Sequence, residues 1–295
     1  MKRQHFQHPF LPYFLVLPQV LIIGIFFVWP AAQAVYQSFV LEDAFGLGVQ
    51  FVWLENYEAI FNDRQYVVSA TFTAIFSTLV AFFSMALALF FAVKADAILR
   101  GATTYKILLI WVYAVAPAVA GIVGTFLFTR NLGPLYTLLT ATGWDFNPQV
   151  NVSDAAFTVI LVSVWKQVSV NFIYFLAGLQ SIPNYVREAA LIDCKSSLRR
   201  FWTIIFPLLT PTTFFLLVIN VVYAFFDTFG IIDAVTQGGP GSPGATNILV
   251  YNVYSDCCAG SPDLGSSSAQ SVVLMIIVIA LTVVQFRFVE RRVHY

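Results

Sequence analysis

Six runs of apolar residues divide the chain, near 11–36, 67–93, 104–128, 154–180, 206–230 and 268–288. Each is long enough to cross a bilayer, which takes about 20 mostly apolar residues in a helix. No stretch between them is apolar and long enough to add a seventh. Strands of a membrane β-barrel would be about ten residues long and strictly alternating, and Leu216-Leu217-Val218-Ile219-Asn220-Val221-Val222-Tyr223 does not alternate. The pattern predicts an all-α integral membrane protein, six transmembrane helices in a single domain over 1–295.

Composition narrows the class. Of 295 residues, 59% are hydrophobic and 10% charged, against about 25% charged in a soluble domain. So few charges cannot cover a water-soluble surface, which excludes a soluble enzyme, a nucleic-acid binder and a disordered chain. The charges are segregated. Lys2, Arg3, Lys94, Arg100, Lys106, Arg187, Lys195, Arg199, Arg200, Arg287, Arg291 and Arg292 fall on one side of the spans, with four acidic residues, a balance of +8. The other side has Arg64 and Arg130 against ten acidic residues, a balance of −8. Basic loops stay in the cytoplasm, so both termini are expected there. The first run is longer than the apolar part of a signal peptide, and Trp29-Pro30 stands where small residues would lead to cleavage. It reads as an uncleaved helix.

Familiar catalytic chemistry is absent. There is no G-x-x-x-x-G-K-[ST], H-E-x-x-H or G-x-S-x-G, and His5, His8 and His294 lie in the tails. Cys194, Cys257 and Cys258 are too few and badly spaced for a disulfide framework or a zinc site; the adjacent pair reads as two small residues. The chain looks like a pathway or receptor, not an enzyme.

One polar loop has more character than a connection needs. The segment Ile182–Pro211 opens on a proline, continues into a short helix with Glu188-Ala189-Ala190 and Asp193, and ends with Pro207 and Pro211 opening the next span. Ala-Ala leaves a helix face on which a partner can pack closely, and Glu188 offers a charge-assisted contact to a basic group. A helix too small to fold alone is best explained by docking on another protein. The segment resembles the EAA loop of ABC-importer permeases, with Glu188, Ala189, Ala190, Asp193, Phe201, Ile204, Pro207 and Pro211 in register. The departures are Cys194 and Lys195, where the family has Gly-Ala; a glycine there would supply a turn with unusual backbone angles.

The resemblance covers nearly the whole chain. Phe51-Val-Trp-Leu-Glu-Asn-Tyr57 is similar to the segment after the first helix of sugar-type permeases, with Trp53 for their usual glycine, and Thr236-Gln-Gly-Gly-Pro240 resembles the turn after their fifth helix. Tyr113-Ala-Val-Ala-Pro-Ala-Val119, Val164-Trp-Lys-Gln-Val-Ser169, Tyr223-Ala-Phe-Phe-Asp-Thr-Phe229 and Ser268-Ala-Gln-Ser-Val-Val-Leu-Met275 look like the A-type permeases of bacterial sn-glycerol-3-phosphate importers. What this implies is a multi-pass subunit of the bacterial inner membrane with the type I importer fold. The resemblance implies a cytoplasmic coupling loop over 181–205 and, as the residues that couple to an ATPase, Glu188, Ala189, Ala190, Asp193 and Cys194 within it and Pro207 just beyond. The implied partners are a second, homologous permease, two ATPase subunits that carry ATP and Mg, and a periplasmic substrate-binding protein. No cofactor is expected on this chain and no nucleic acid. A related importer of a neutral sugar or oligosaccharide is the near alternative. An ion-coupled transporter or channel is the distant one, disfavoured because Asp227 is the only carboxylate well within a span and no internal repeat is evident.

Polar residues inside spans mark the candidate pathway, since they normally face protein or a watery cavity. Ser163, Gln167, Asn171, Tyr174 and Gly178 form one stripe of the fourth run, and Asn220, Tyr223 and Asp227 one of the fifth. Each residue could be helix–helix glue; taken together the stripes suggest cavity lining. Ala116, Ala120 and Gly124 are spaced for close helix packing, with Pro117 as a kink. Lys166 costs roughly 2.5–3.5 kcal/mol to insert, so it needs a partner or a function. It can pair with Asp227, snorkel outward, or give the cavity the positive potential that a phosphate ester requires.

Overall fold

The computed structural model describes residues 10–42, 48–97, 101–240, 244–259 and 262–289. Five helices are long and apolar enough to cross a membrane: the first span Leu11–Gln37, the second Arg64–Ala97, the fourth Val152–Ser181, the fifth Thr210–Asp227 and the sixth Leu264–Arg287. Thr103–Ala114 and Pro117–Phe128, bent by 106° at their junction, make the third when counted as one broken span.

The described chain divides into two compact units, Met1–Asn62 with Val253–Val273, and Asp63–Asn252 with Leu274–Tyr295. In the first, the apolar window of the first span has none of its residues buried. A two-stranded antiparallel hairpin follows, β1 (Val40–Glu42) with β2 (Val49–Phe51), Val40 opposite Phe51. It is the one departure from an all-helical chain among the described residues. Its entry is pinned from the helix Glu55–Asn62, where Asn56 Nδ2 donates to the carbonyls of Ser38 and Val40, 3.0 Å each, and Tyr57 Oη to Ser38 Oγ at 2.8 Å. Contrary to the sequence reading, Cys257 and Cys258 are bonded to each other in a disulfide between adjacent residues.

In the second unit, the second span starts beside Asp63, whose Oδ1 accepts the Gln65 N–H at 2.9 Å. The fourth starts with Asp154 in its first turn, accepting the Asn147 N–H and Asn151 Nδ2 at 2.8 and 3.0 Å. A carboxylate there answers the positive end of the helix dipole. The two spans bury Phe76, Val80, Ala88, Val159, Phe172 and Phe175 in one core with Leu216 and Ala224 of the fifth. Small residues on the third span close a second contact. Ala120 is buried with Val162 and Ile231, and a Cβ on Gly124 would meet Val162 Cγ2 at 2.5 Å. Ala116, expected in the same seam, lies exposed at the break instead.

Two apolar runs are not single helices. The third breaks where Ala116 is extended (φ −63°, ψ 146°) before Pro117, because proline drives its predecessor out of the α region. The fifth, expected as one helix over 206–230, begins at Thr210, passes into a π-type turn over Tyr223–Asp227, and stops before a separate helix Phe229–Val235.

Candidate functional site

The loop after the fourth span folds as a helix, Asn184–Asp193, entered through Pro183. Helical spacing gives it two faces. Val186, Arg187 and Ala190 turn inward, and Ala190 is 2% exposed. Tyr185, Glu188, Ala189, Ile192 and Asp193 face solvent, with Tyr185 73% and Ile192 86% exposed. Sequence reasoning singled out Glu188, Ala189 and Asp193 on this face but missed Tyr185, Ile192 and the exposed Leu198 beyond it. Their signal was an apolar pattern at i, i+4 and i+7 through Tyr185, Ala189 and Ile192. Burying apolar side chains of this size yields about 1.5–3 kcal/mol each, so the outward face leaves that free energy unused in the single chain.

Cys194 closes the helix at φ −127°, ψ 104°, ordinary extended backbone that needs no glycine. The expected unusual turn is absent, so the cysteine in the family's glycine position carries no backbone strain. Its carbonyl accepts Arg200 Nη1 at 3.1 Å, which folds the basic stretch back onto the helix end. Pro207 is exposed and lies in the short helix Phe206–Leu208, directly after a π-type turn over Phe201–Ile205.

The second group of candidates lies inside the spans. Asn171 and Asn220 are fully buried and exchange hydrogen bonds through their amides, at 2.8 and 3.1 Å. Ser84 of the second span joins them: it accepts Asn171 Nδ2 and donates to Asn220 Oδ1, both at 3.0 Å. Asn220 Nδ2 also reaches its own helix at the Leu216 carbonyl. Three spans are thus locked by one closed amide network, which is interhelical bonding rather than the cavity lining the stripes suggested. Buried amides must be paired, and these satisfy one another. Gly178 is likewise a packing residue, since a Cβ there would meet Thr212 Oγ1 at 2.8 Å. Tyr223 is buried and donates to the Ser163 carbonyl at 3.3 Å. Gln167 is buried, whereas Tyr174, packed on Phe215 at 5.1 Å, and Asp227 are exposed.

Lys166 is 7% exposed, and no ion pair joins it to Asp227 among the described residues. Its Nζ donates to the Tyr113 carbonyl at 3.2 Å and lies 5.7 Å from the centre of the Tyr113 ring. The cause is Pro117. In an unbroken helix the N–H of residue 117 would satisfy the Tyr113 carbonyl, and proline has none. Three residues on, Ser169 Oγ donates to the Leu109 carbonyl at 2.6 Å. The fourth span therefore supplies a donor to the carbonyl that Pro117 leaves without one, and Ser169 adds a second tie to the same stretch of the third span. This partner for Lys166 was outside the sequence alternatives, because it depends on a carbonyl 53 positions away.

Two cavities open in the same unit. One, about 850 Å³, is walled by apolar side chains including Phe82, Met85, Phe175, Phe206 and Phe225. A bare anion gains nothing there, since charge needs paired partners to leave water. The other, about 190 Å³, is of mixed character, with Thr125, Thr129, Gln149, Thr158 and Thr236 beside Phe128, Pro148, Val235 and Pro240. No expected pathway residue lines either cavity.

The fold as a whole has parallels in known proteins. Two solved chains share the fold: a bacterial ABC transporter for the import of the acidic polysaccharide alginate (TM-score 0.79, 18% identity, 95% of this chain and 96% of that one), and a bacterial alginate ABC transporter in complex with an alginate pentasaccharide-bound periplasmic protein (0.80, 19%, 96% and 94%). Curated relatives match end to end. The sn-glycerol-3-phosphate transport system permease protein UgpA of Brucella abortus biovar 1 (strain 9-941) is 54% identical over 295 residues, all of both chains. That of Rhizobium meliloti (strain 1021) is 52% identical over the same span. That of Yersinia enterocolitica serotype O:8 is 51% identical over 293 residues, 99% of this chain and 98% of its own. The profile of binding-protein-dependent transport system inner membrane components matches residues 10–295. With that profile spanning all six runs and the EAA-like helix in place, the chain belongs to the family of binding-protein-dependent transport system inner membrane components.

Proposed function

We propose that this chain is the permease subunit of an ATP-driven importer of sn-glycerol-3-phosphate, acting as one permease domain over 1–295. The observation that carries the reading is its end-to-end likeness, at 50% identity or more, to permeases named for that substrate. The outward face of Asn184–Asp193 supports an ATPase as partner. Tyr185 and Ile192 offer apolar anchors, Ala189 allows close approach, and Glu188 and Asp193 present carboxylates to basic groups. Glu188, Ala189, Ala190, Asp193, Cys194 and Pro207 form the coupling element in this reading, with Ala190 holding the helix to the spans. A second homologous permease covers part of the apolar surface, two ATPases hold ATP and Mg, and a periplasmic protein delivers substrate. Both termini lie in the cytoplasm.

Lys166 is the positive group of the pathway on this reading. One of its three donors is held by the Tyr113 carbonyl, and the others remain for a phosphate as the spans rearrange. Gln167, Tyr174 and Asp227 lie on the same pathway, while Asn171, Asn220 and Tyr223 keep its walls together. The test is transport by the reconstituted complex in proteoliposomes. Binding protein loaded with sn-glycerol-3-phosphate should stimulate ATP hydrolysis and uptake. Stimulation by a neutral sugar alone would move the substrate class, and uptake that needs no ATPase would remove the importer reading.

A further inference from the structure

Resting on the importer reading above, we propose that Arg187 is the positioning residue that transmits motion between the docking helix and the membrane spans. It precedes Glu188 but sits on the opposite, inward face of the helix Asn184–Asp193. Its Nη1 pairs with Asp96 Oδ2 at 2.7 Å, the one salt bridge among the described residues, and Nη2 donates to the Leu179 carbonyl. Asp96 lies in the last turn of the second span and Leu179 in the last turn of the fourth. One guanidinium therefore ties three helices together.

Both partners need it. A carboxylate at a helix C-terminus faces the negative end of the dipole, so Asp96 is unfavourable without a cation. The last four carbonyls of a helix lack intrahelical donors, and the Leu179 carbonyl is one of them, shared here with the Ile182 N–H. A fork of rigid, diverging donors meets both at once, which the single ammonium of lysine does not. Glu188 cannot replace Asp96, because neighbours at i and i+1 do not face each other on a helix. The two spans so gripped are themselves joined by the Ser84–Asn171–Asn220 network. A displacement of the docking helix is thus applied to a block of three spans rather than lost in a loop.

The experiment uses the assembled complex in proteoliposomes and reads substrate imported per ATP hydrolysed, with ATPase copurification as the control for assembly. Arg187→Glu and Asp96→Arg should each lower that ratio about tenfold, the factor equivalent to roughly 1.4 kcal/mol, while the ATPases still copurify. The double variant carrying both should return to within about threefold of wild type. Unchanged ratios in the single variants, or an assembled double variant no better than either single, overturn the proposal. Should the reversals fail to assemble, Arg187→Gln removes the charge alone. A lowered ratio there supports the role, and a wild-type ratio overturns it. A wild-type complex in which loaded binding protein stimulates no hydrolysis would remove the importer reading itself, a result separate from coupled wild type with coupled variants.

Discussion

Single side chains carry local tensions that identity alone does not reveal. The φ of Trp53 is +54°, a region that costs an L-residue roughly 1–2 kcal/mol. Its ring meets Phe51 edge-on at 5.0 Å, worth about 0.5–1.5 kcal/mol, so the two effects nearly cancel. Trp53→Ala loses the ring and keeps the strain, whereas Trp53→Gly loses both. Thermal unfolding in detergent should rank Trp53→Gly above Trp53→Ala by about 1 kcal/mol; the reverse order would mean that the segment relaxes. For the amide network, Asn171→Leu and Asn220→Leu each strand a buried partner at a cost of about 1–3 kcal/mol. The double variant should cost less than the sum of the singles, as groups sharing one network couple. Lys166→Gln keeps a donor for the Tyr113 carbonyl but removes the charge. It should severely impair sn-glycerol-3-phosphate uptake while assembly and basal ATP hydrolysis persist. Unchanged uptake kinetics, or rescue by Asp227→Asn, would show that the charge plays no part in handling substrate.

At the scale of elements, the helix Asn184–Asp193 was legible because its pattern is local. Glu188-Ala189-Ala190 and the flanking prolines lie within one short segment, and on the proposed reading this helix docks on an ATPase. Glu188→Lys should leave the chain in the membrane but abolish ATPase copurification or uncouple hydrolysis from uptake; normal association and uptake would reassign this helix. The neighbouring Cys194 was read with concern because glycine allows special angles, yet the chain here is simply extended. The third span shows the opposite error of scale. Pro117 announced a kink, but at the bend of 106° the carbonyl it frees at Tyr113 is met by Lys166, and Ser169 ties the same stretch at Leu109. Donors from another span are invisible in a local window.

For the whole molecule, the proposed orientation rests on where the basic residues fall. Reporter fusions after Lys195 and Arg292 should behave as cytoplasmic and fusions near Ser242 as periplasmic; the last two sites lie outside the described residues. A periplasmic signal at Lys195 would put the docking helix beyond reach of any nucleotide-hydrolysing partner. The sequence by itself determined the membrane class and the apolar spans, because a bilayer imposes length and hydropathy on each segment independently. It also named some of the buried polar residues, Lys166, Gln167, Asn171 and Asn220 among them, whose cost in lipid makes them conspicuous. What they bond to was decided only by tertiary structure. Asn171 with Asn220, Lys166 with the Tyr113 carbonyl, and Arg187 with Asp96 lie 49, 53 and 91 positions apart. A helical period says which face a side chain occupies. It does not say which helix lies opposite, and hydrogen bonds with a reach of about 3 Å are settled by that neighbour alone.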